Sequence, residues 1–396
     1  MGCRVALGDV CSFHRGASVP RVRMYDAGDY LYIHYGDLYK GFNLRIDVED
    51  PAKPIPYILR GERIKDSQRL KDQDIVYVLT SETVDDLGHA FLFNNPIGRP
   101  AVSGTETTIV RVERRDLVVP AYLNYLMSSP QFVGELRQYT RGMKVFRVHP
   151  NDVARIEVDL PSIGAQHQVV AILDAIYAKQ QVNTKLNGYL LELAMAIFKK
   201  WFIAEDQLYP TTKVTMQEVA VISAGGDKPH ACKQNPDAEC NVPIYSNGIE
   251  NEGLYGYTAE AKITAPSVTV SARGTIGYTC LRRKPYYPIV RLISATPNDW
   301  VTAEYLYLWL RSTMISGVGT TQQQLTVPMF KLYEVPIPDS EAMQKFAEVI
   351  NPIFDAIDAN KEECIKLADT RDALLPKLMS GELDVQKVAI ECGLSH

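Results

Sequence analysis

Two stretches of this chain decide its fold, because each is a version of the other: Ile156-Glu157-Val158-Asp159-Leu160-Pro161 and Tyr333-Glu334-Val335-Pro336-Ile337-Pro338. The alignment extends without a gap over Gly142–Phe202 and Gly319–Met379, at a fixed offset of 177 residues (319 minus 142). This period is too long for a solenoid, whose repeats run roughly 20–50 residues. We therefore predict a duplicated globular domain that is followed each time by a long helix.

The repeat divides the chain into five segments. A weaker echo, Val5–Val10 against Val214–Val219, opens each half. Runs such as Asp74–Leu79 and Thr107–Val112 are rich in β-branched and aromatic residues and predict short strands. The predicted segments are a first globular domain at 1–160, a first helix at 161–205, a second globular domain at 206–340, a second helix at 341–383 and a C-terminal tail at 384–396.

Both helical segments carry apolar residues at steps of three and four, which is the spacing of a coiled-coil seam. Asn183 and Asn360 occupy equivalent positions in that seam, where a polar residue costs stability but fixes register. Each lies at the midpoint of its helix, so antiparallel packing would bring the two asparagines together. The pattern predicts an α+β fold: two α/β domains, each followed by a long helix, with the two helices paired as an antiparallel coiled coil with pseudo-twofold symmetry. The alternative is that each helix packs only on its own domain.

The composition describes a chain without a membrane span. It has 396 residues, 46% of them apolar, and none of its apolar runs reaches the roughly 20 residues that a bilayer requires. Its seven cysteines are scattered, as expected for a reducing cytoplasm. The net charge of −5 arises largely after residue 340. The chain alone should therefore bind a polyanion weakly, because affinity for phosphates scales with nearby cations.

The motifs of several enzyme classes are absent from the sequence. It contains no phosphate-binding loop, no Gly-x-Gly-x-x-Gly, no His-Glu-x-x-His and no Asn/Asp-Pro-Pro-Tyr/Phe. His230, Cys232 and Cys240 share one loop, but their spacing matches no standard zinc site. We therefore predict no catalytic residues and no metal ligands in this chain.

The loops carry side chains of the types that read base edges. Arginine can bind guanine bidentately, and glutamine or asparagine can bind adenine in the same way. Taken singly, each such residue is more simply explained as a solvated surface side chain. The candidate DNA contacts in the first half are Arg21, Arg23, His34, Tyr35, Thr80, Ser81, Arg141, Lys144 and Arg147. Those in the second half are Lys228, Ser246, Asn247, Arg273, Gln322, Gln323 and Gln324.

Several stretches are typical of one family. They are Gln166-His-Gln-Val-Val-Ala-Ile-Leu-Asp174, Ala196-Ile-Phe-Lys-Lys-Trp-Phe202, Arg371-Asp-Ala-Leu-Leu-Pro-Lys-Leu-Met-Ser-Gly-Glu-Leu383, Ser271–Gly277 and Thr80–Gly88. Through them, and through its duplicated layout, the chain resembles the specificity subunit of type I restriction-modification systems over nearly its whole length.

The resemblance implies a role that the missing motifs are consistent with. Two target recognition domains would each read half of a bipartite site in double-stranded DNA, and the helices would set the gap between the halves. Two modification subunits would dock on the helices and methylate adenine with S-adenosylmethionine. Restriction or translocase subunits can join and use ATP and Mg²⁺. An alternative without DNA reading is a coiled-coil adaptor, and a self-sufficient enzyme is the weakest reading.

Overall fold

The structure is a computed structural model, which describes residues 3–39, 42–50, 53–84, 86–315 and 324–383. Contacts between residues divide it into two compact units. The first consists of the described residues up to Gln180 together with those from Cys364 onward, and the second is Gln181–Glu363. The predicted tail at 384–396 lies outside the described residues.

The two predicted long helices are present, at Ile163–Phe202 and Ser340–Met379. Within the second unit their segments run antiparallel: Asn183 Nδ2 donates to Glu363 Oε2 at 2.7 Å, and Asn187 Nδ2 donates to the carbonyl of Ile357 at 3.2 Å. As the residue number rises on one helix, it falls on the other. In the first unit, Gln180 Nε2 donates to the carbonyl of Cys364 at 3.0 Å. The predicted pairing of the helices is confirmed within each unit.

The expected contact between Asn183 and Asn360 is wrong. Asn183, only 1% exposed, bonds to Glu363, whereas Asn360 Nδ2 donates to Asn187 Oδ1 at 2.8 Å. The reason is a stagger of one helical turn, since Asn187 lies four residues beyond Asn183. Two polar pairs therefore interrupt the apolar seam in this unit, where the prediction had one.

The first unit is built on a mixed sheet with its most apolar strand at the centre. Ile75–Val78 is buried on both faces, which explains its continuous run of apolar residues. Helix Pro120–Met127 packs on the neighbouring strand His89–Asn94. Among the described residues the sheet order is Cys11–Arg15, Thr107–Val112, Ile75–Val78, His89–Asn94 and Arg45–Asp47.

Smaller sheets and short helices complete the first unit. The further paired strands are Cys3–Ala6 with Glu157–Leu160, Tyr30–Ile33 with Tyr57–Ile58 and Ala101–Ser103, and Thr80–Ser81 with Phe146–Arg147. The other helices are Leu7–Val10, Tyr35–Leu38, Pro130–Arg137 and Pro150–Val153, with 3₁₀ turns at Arg21–Arg23 and Asp66–Gln68.

The second unit repeats this plan. Its described main sheet has the order Ala220–Ala224, Ile293–Pro297, Ser267–Val270 and Thr279–Arg282. The other strands are Leu254–Thr258, Val242–Tyr245 and Tyr287–Pro288, and Thr212–Thr215 with Glu334–Ile337. The shorter helices are Met216–Val219, Ala303–Ser312 and Val327–Lys331, and a tight non-helical turn lies at Glu250–Gly253.

A charged cluster attaches the long helices to the globular part of each unit. In the first unit Arg45 pairs with Asp174, whose Oδ1 also accepts from the Tyr125 hydroxyl at 2.7 Å. In the second unit Arg283 reaches three carboxylates, those of Glu304, Asp355 and Asp358, at 2.7 to 2.9 Å. These contacts orient each domain on its helix. No helix in the described part of the chain is long and apolar enough to cross a bilayer.

Candidate nucleic-acid interface

Two loops that are far apart in the sequence lie side by side in the first unit. Strand Thr80–Ser81 pairs antiparallel with Phe146–Arg147, so that Thr80 lies opposite Arg147. The backbones of Arg141 and Arg147 exchange both of their hydrogen bonds, at 2.9 and 2.8 Å, and this closes a hairpin. The structure therefore brings four predicted residues, Thr80, Ser81, Arg141 and Arg147, to one surface.

Carboxylates hold the two arginines of this hairpin. Arg147 Nη2 lies 3.5 Å from Glu106 Oε1, and Thr80 Oγ1 donates to Glu106 Oε2 at 2.7 Å. Arg141 Nη2 pairs with Asp152 at 3.0 Å, yet its side chain is 75% exposed. Both guanidinium groups are therefore oriented by the protein while they remain open to solvent. Lys144, at the tip of the hairpin, is also exposed.

The hairpin forms one wall of an open cleft of about 370 Å³. Arg15 and His149 line the cleft too, and sequence analysis missed both. Arg15 directly follows His14, and His149 lies two residues after Arg147, so these short basic runs were the signal that could have found them. The lining residues are Arg15, Gly16, Leu79, Thr80, Glu106, Thr107, Thr108, Arg141, Arg147, Val148, His149 and Pro150.

His34 has a structural role that its residue type does not reveal. Its Nδ1 accepts the backbone N–H of Gly36 at 3.1 Å, and this caps helix Tyr35–Leu38. Burial lowers the pKa of His34, which favours the neutral ring that such an acceptor requires. The ring packs against Tyr35, with 4.7 Å between the ring centroids. His34 thus fixes the short helix that carries Asp37. The Oδ1 atom of Asp37 lies 3.4 Å from Nη2 of the exposed Arg21, so the helix in turn positions that arginine.

Tyr39 connects this helix to the loop that follows Ser81. Its hydroxyl donates to the carbonyl of Asp86 at 3.3 Å, and its ring meets His89 edge to face with centroids 5.2 Å apart. Burial, with the charge of Asp86, raises the pKa of Tyr39 to about 12. Sequence analysis missed Tyr39 and His89 because their contacts join segments that are more than 40 residues apart. Arg23, the remaining predicted residue, is exposed and pairs with Glu62 at 3.3 Å.

The second unit has the same construction with different side chains. The amide of Leu325 donates to the carbonyl of Ala272 at 3.0 Å, as Val148 does to Leu79 at 3.0 Å. In both units the residue after the carbonyl acceptor faces the residue before the amide donor. They are Thr80 and Arg147 in the first unit. In the second they are Arg273 and Gln324, with Arg273 Nη2 at 3.3 Å from Gln324 Oε1. Gln322 and Gln323 lie outside the described residues.

Asn247 supports the Arg273 loop from behind. Its Oδ1 accepts the amide of Ala272 at 2.7 Å, and its Nδ2 donates to the carbonyl of Val290 at 2.6 Å. Both ends of the amide are thus engaged by backbone, so Asn247 is a positioning residue here. Lys228 is exposed and lies over the ring of Tyr255, 5.2 Å from the centroid.

A tight turn after Ser246 joins this surface to the second long helix. Asn251, Glu252 and Gly253 all have positive φ, at 46°, 56° and 82°. The carbonyl of Gly253 accepts the amide of Ser246 at 2.8 Å, and a Cβ on Gly253 would lie 2.5 Å from the carbonyl oxygen of Ser246. Glu252 then pairs with Lys361 of the helix at 2.7 Å. The turn therefore needs glycine at its last position.

Among residues 3–383 that the structure describes, no group of three or more His, Cys, Asp or Glu side chains is placed to hold a metal ion. Cys232 and Cys240, which share a loop with His230, are free thiols. The surfaces described above are instead formed by cations, hydroxyls and amides on short strands and tight turns.

Comparison with known proteins identifies the family. Residues 211–367 match the model of the type I restriction modification DNA specificity domain. A putative type I specificity subunit of Mycoplasma pneumoniae is 27% identical over 58% of this chain and 62% of its own length. The C-terminal part of another, from the same organism, is 33% identical over 25% of this chain and 68% of its own length.

The fold agrees with this assignment. The crystal structure of a type I restriction-modification S subunit from M. genitalium matches 96% of each chain with a TM-score of 0.56, at 14% sequence identity. This chain spans about three fifths of the length of the first M. pneumoniae relative. It belongs to the family of type I restriction-modification specificity subunits.

Proposed function

We propose that this chain selects the DNA sequence on which a type I restriction-modification complex acts. The globular domain of each unit reads one half of a bipartite site in double-stranded DNA. One observation carries the proposal: an equivalent pair of facing positions holds Thr80 and Arg147 in the first unit but Arg273 and Gln324 in the second. A repeated frame with different base-reading side chains suits a target with two unlike halves.

The chemistry of these side chains fits base edges in the major groove. A two-stranded β-ribbon fits that groove, where arginine binds guanine O6 and N7 and glutamine binds adenine N6 and N7. Glu106 and Asp152 hold Arg147 and Arg141 in place while leaving them open to solvent. Pre-oriented donors lose less side-chain entropy on binding. The net charge of −5 leaves much of the phosphate binding to partner subunits.

The long helices set the spacing of the two half-sites and dock two modification subunits. Exposed apolar residues recur along one face of the first helix within the second unit, at Val182, Leu186, Tyr189 and Leu193. Their steps of four, three and four match a helix-binding stripe. Catalysis, with S-adenosylmethionine, ATP and Mg²⁺, resides in the methyltransferase and restriction subunits, and the complex works in the cytoplasm.

Substitutions in the basic hairpin distinguish the proposed DNA reading from the rival function, a coiled-coil adaptor. The test replaces Arg141, Lys144 and Arg147 by alanine in the complex with the modification subunits. Selectivity at the first half-site should be lost while selectivity at the second half-site remains and the subunits still co-purify. A matched triple variant, Arg4→Ala with Arg114→Ala and Arg115→Ala, removes three exposed cations outside the cleft and should retain selectivity. Equal selectivity of both variants and the parent would favour the adaptor.

A further inference from the structure

The tip of the basic hairpin carries an apolar side chain, which has no favourable interaction with the phosphates of DNA. Met143 is 94% exposed, between Arg141 and Lys144. A single exposed apolar residue is common on protein surfaces and needs no function. Met143 differs from such residues because its backbone is held by a closed turn and because cations surround it.

The hairpin holds Met143 in a defined position. Gly142 has φ of 118°, and a Cβ there would lie 2.1 Å from the carbonyl oxygen of Val145, so only glycine fits. The two backbone bonds between Arg141 and Arg147 close the loop. Phe146 packs against the hydrophobic core of the unit and pairs with Ser81. The backbone of Met143 is therefore presented by an anchored turn.

The surroundings of Met143 point to the major groove of DNA. The cations Arg141, Lys144 and Arg147 flank it, and they favour a polyanion. A narrow β-hairpin fits the major groove, and the apolar group that base edges present there is the C5-methyl of thymine. We propose that Met143 is a specificity-determining residue that contacts a thymine methyl group in the half-site read by the first unit. The inference rests on the proposed function and names one element of the sequence read.

This contact belongs to one half of the protein. In the repeat alignment, Gly142 falls on Gly319, so Met143 falls on Thr320. Preference for a thymine methyl at the tip of the loop is thus expected for the first half-site, and the second domain uses a hydroxyl-bearing residue at that place in the sequence.

The experiment uses the complex with its modification subunits and a duplex carrying its methylation site. Each thymine of the first half-site is replaced in turn by uracil, which removes only the methyl group. At one position the parent complex should bind about fourfold more weakly, the value expected for one buried methyl. The Met143→Ala complex should bind the thymine duplex more weakly than the parent does, and replacing that thymine by uracil should not weaken its binding further. Met143→Leu should restore the sensitivity, and Ile97→Ala, at another exposed apolar site, should match the parent.

Three results would overturn the inference while leaving the proposed function intact. They are equal binding of uracil and thymine at every position by the parent, an unchanged uracil effect in Met143→Ala, and a first half-site without thymine in either strand. A fourth result concerns base stacking, which is measured by placing the fluorescent base 2-aminopurine in the first half-site. If its fluorescence increases on binding of the parent but not of Met143→Ala, and uracil has no effect, Met143 is a wedge between bases and the inference is also overturned. A parent complex that binds all sequences equally would overturn the proposed function as well.

Discussion

At the scale of single residues, the two units place different chemistry on one backbone frame. Thr80 faces Arg147 in the first unit, and Arg273 faces Gln324 in the second. The frame is maintained by main-chain hydrogen bonds, which do not depend on side-chain identity. Base preference can therefore change without loss of the fold, and each half-site should depend on its own unit.

We expect Arg147→Ala and Arg273→Ala to affect different half-sites. Each removes one bidentate guanine donor, worth about 1–3 kcal/mol of discrimination, or roughly 5- to 150-fold. Competition binding with duplexes in which one half-site is scrambled measures the effect. Arg147→Ala should lose discrimination at the first half-site only, and Arg273→Ala at the second only. Loss at both half-sites in either variant would contradict separate reading.

His34 should make stability depend on pH. Burial lowers its folded pKa below the ordinary 6.5, the charge of Asp37 opposes that shift, and Arg21 adds to it. A lowered pKa gives stability that is fully present above about 6.5 and is lost as the pH falls through the folded pKa. His34→Asn keeps an acceptor for the helix cap but does not titrate. Urea unfolding near pH 7.5 and 5.5 measures the effect: the free energy of unfolding should fall less between these two pH values in His34→Asn than in the parent. An equal fall in both proteins would contradict the assignment.

Residue types alone could not distinguish the proposed base contacts from side chains that support the loops. His34 and Asn247 have the same polar character as Arg141 or Arg273, and sequence analysis grouped them together. Their partners are backbone groups: Gly36 for His34, and Ala272 and Val290 for Asn247. Those partners become known only when the loops are folded.

At the scale of elements, the helices were the easiest to predict and their polar contacts the hardest. The heptad-like steps of three and four between apolar residues predicted helices at 161–205 and 341–383, and the structure has Ile163–Phe202 and Ser340–Met379. The partners of Asn183 and Asn360 depend on a stagger of one turn, and periodicity alone does not determine it.

We expect replacement of both Asn183 and Asn360 by leucine to raise the melting temperature and loosen the helix register. Asparagines at seam positions cost stability and exclude other alignments. Register is measured by oxidative cross-linking of Gln180→Cys to the native Cys364, since Cys364 Sγ lies 3.8 Å from the Gln180 carbonyl oxygen. The double variant should cross-link less completely. An unchanged melting temperature with unchanged cross-linking would refute the register role.

Arg283 should be essential for the stability of the second unit. Its side chain is 22% exposed and pairs with Glu304, which is 9% exposed. Arg283→Ala leaves that carboxylate buried without its cation, a loss of about 3 kcal/mol in the free energy of unfolding. Lys284→Ala, which breaks the exposed pair with Glu362, should cost below about 1 kcal/mol. Denaturant unfolding compares the two, and equal costs would contradict the account.

At the scale of the whole molecule, the duplication could be predicted because its offset of 177 residues is constant over the helices. The equivalence of Thr80 and Arg273 could not be predicted in this way. These two residues are 193 positions apart (273 minus 80), whereas Arg147 and Gln324 keep the offset of 177. Insertions within the first domain break the alignment there. Hydrogen bonds to Leu79 and Ala272 reveal the correspondence that the sequence hides.

The central claim is that this chain determines the DNA sequence acted on by its complex. The most direct test is long-read sequencing of adenine methylation in cells that carry the chain and its partner methyltransferase, compared with cells that lack only the chain. We predict a bipartite methylated motif that disappears with the chain and, in cells with Arg147→Ala, loses stringency in one half only. A motif that persists unchanged without the chain would contradict the account.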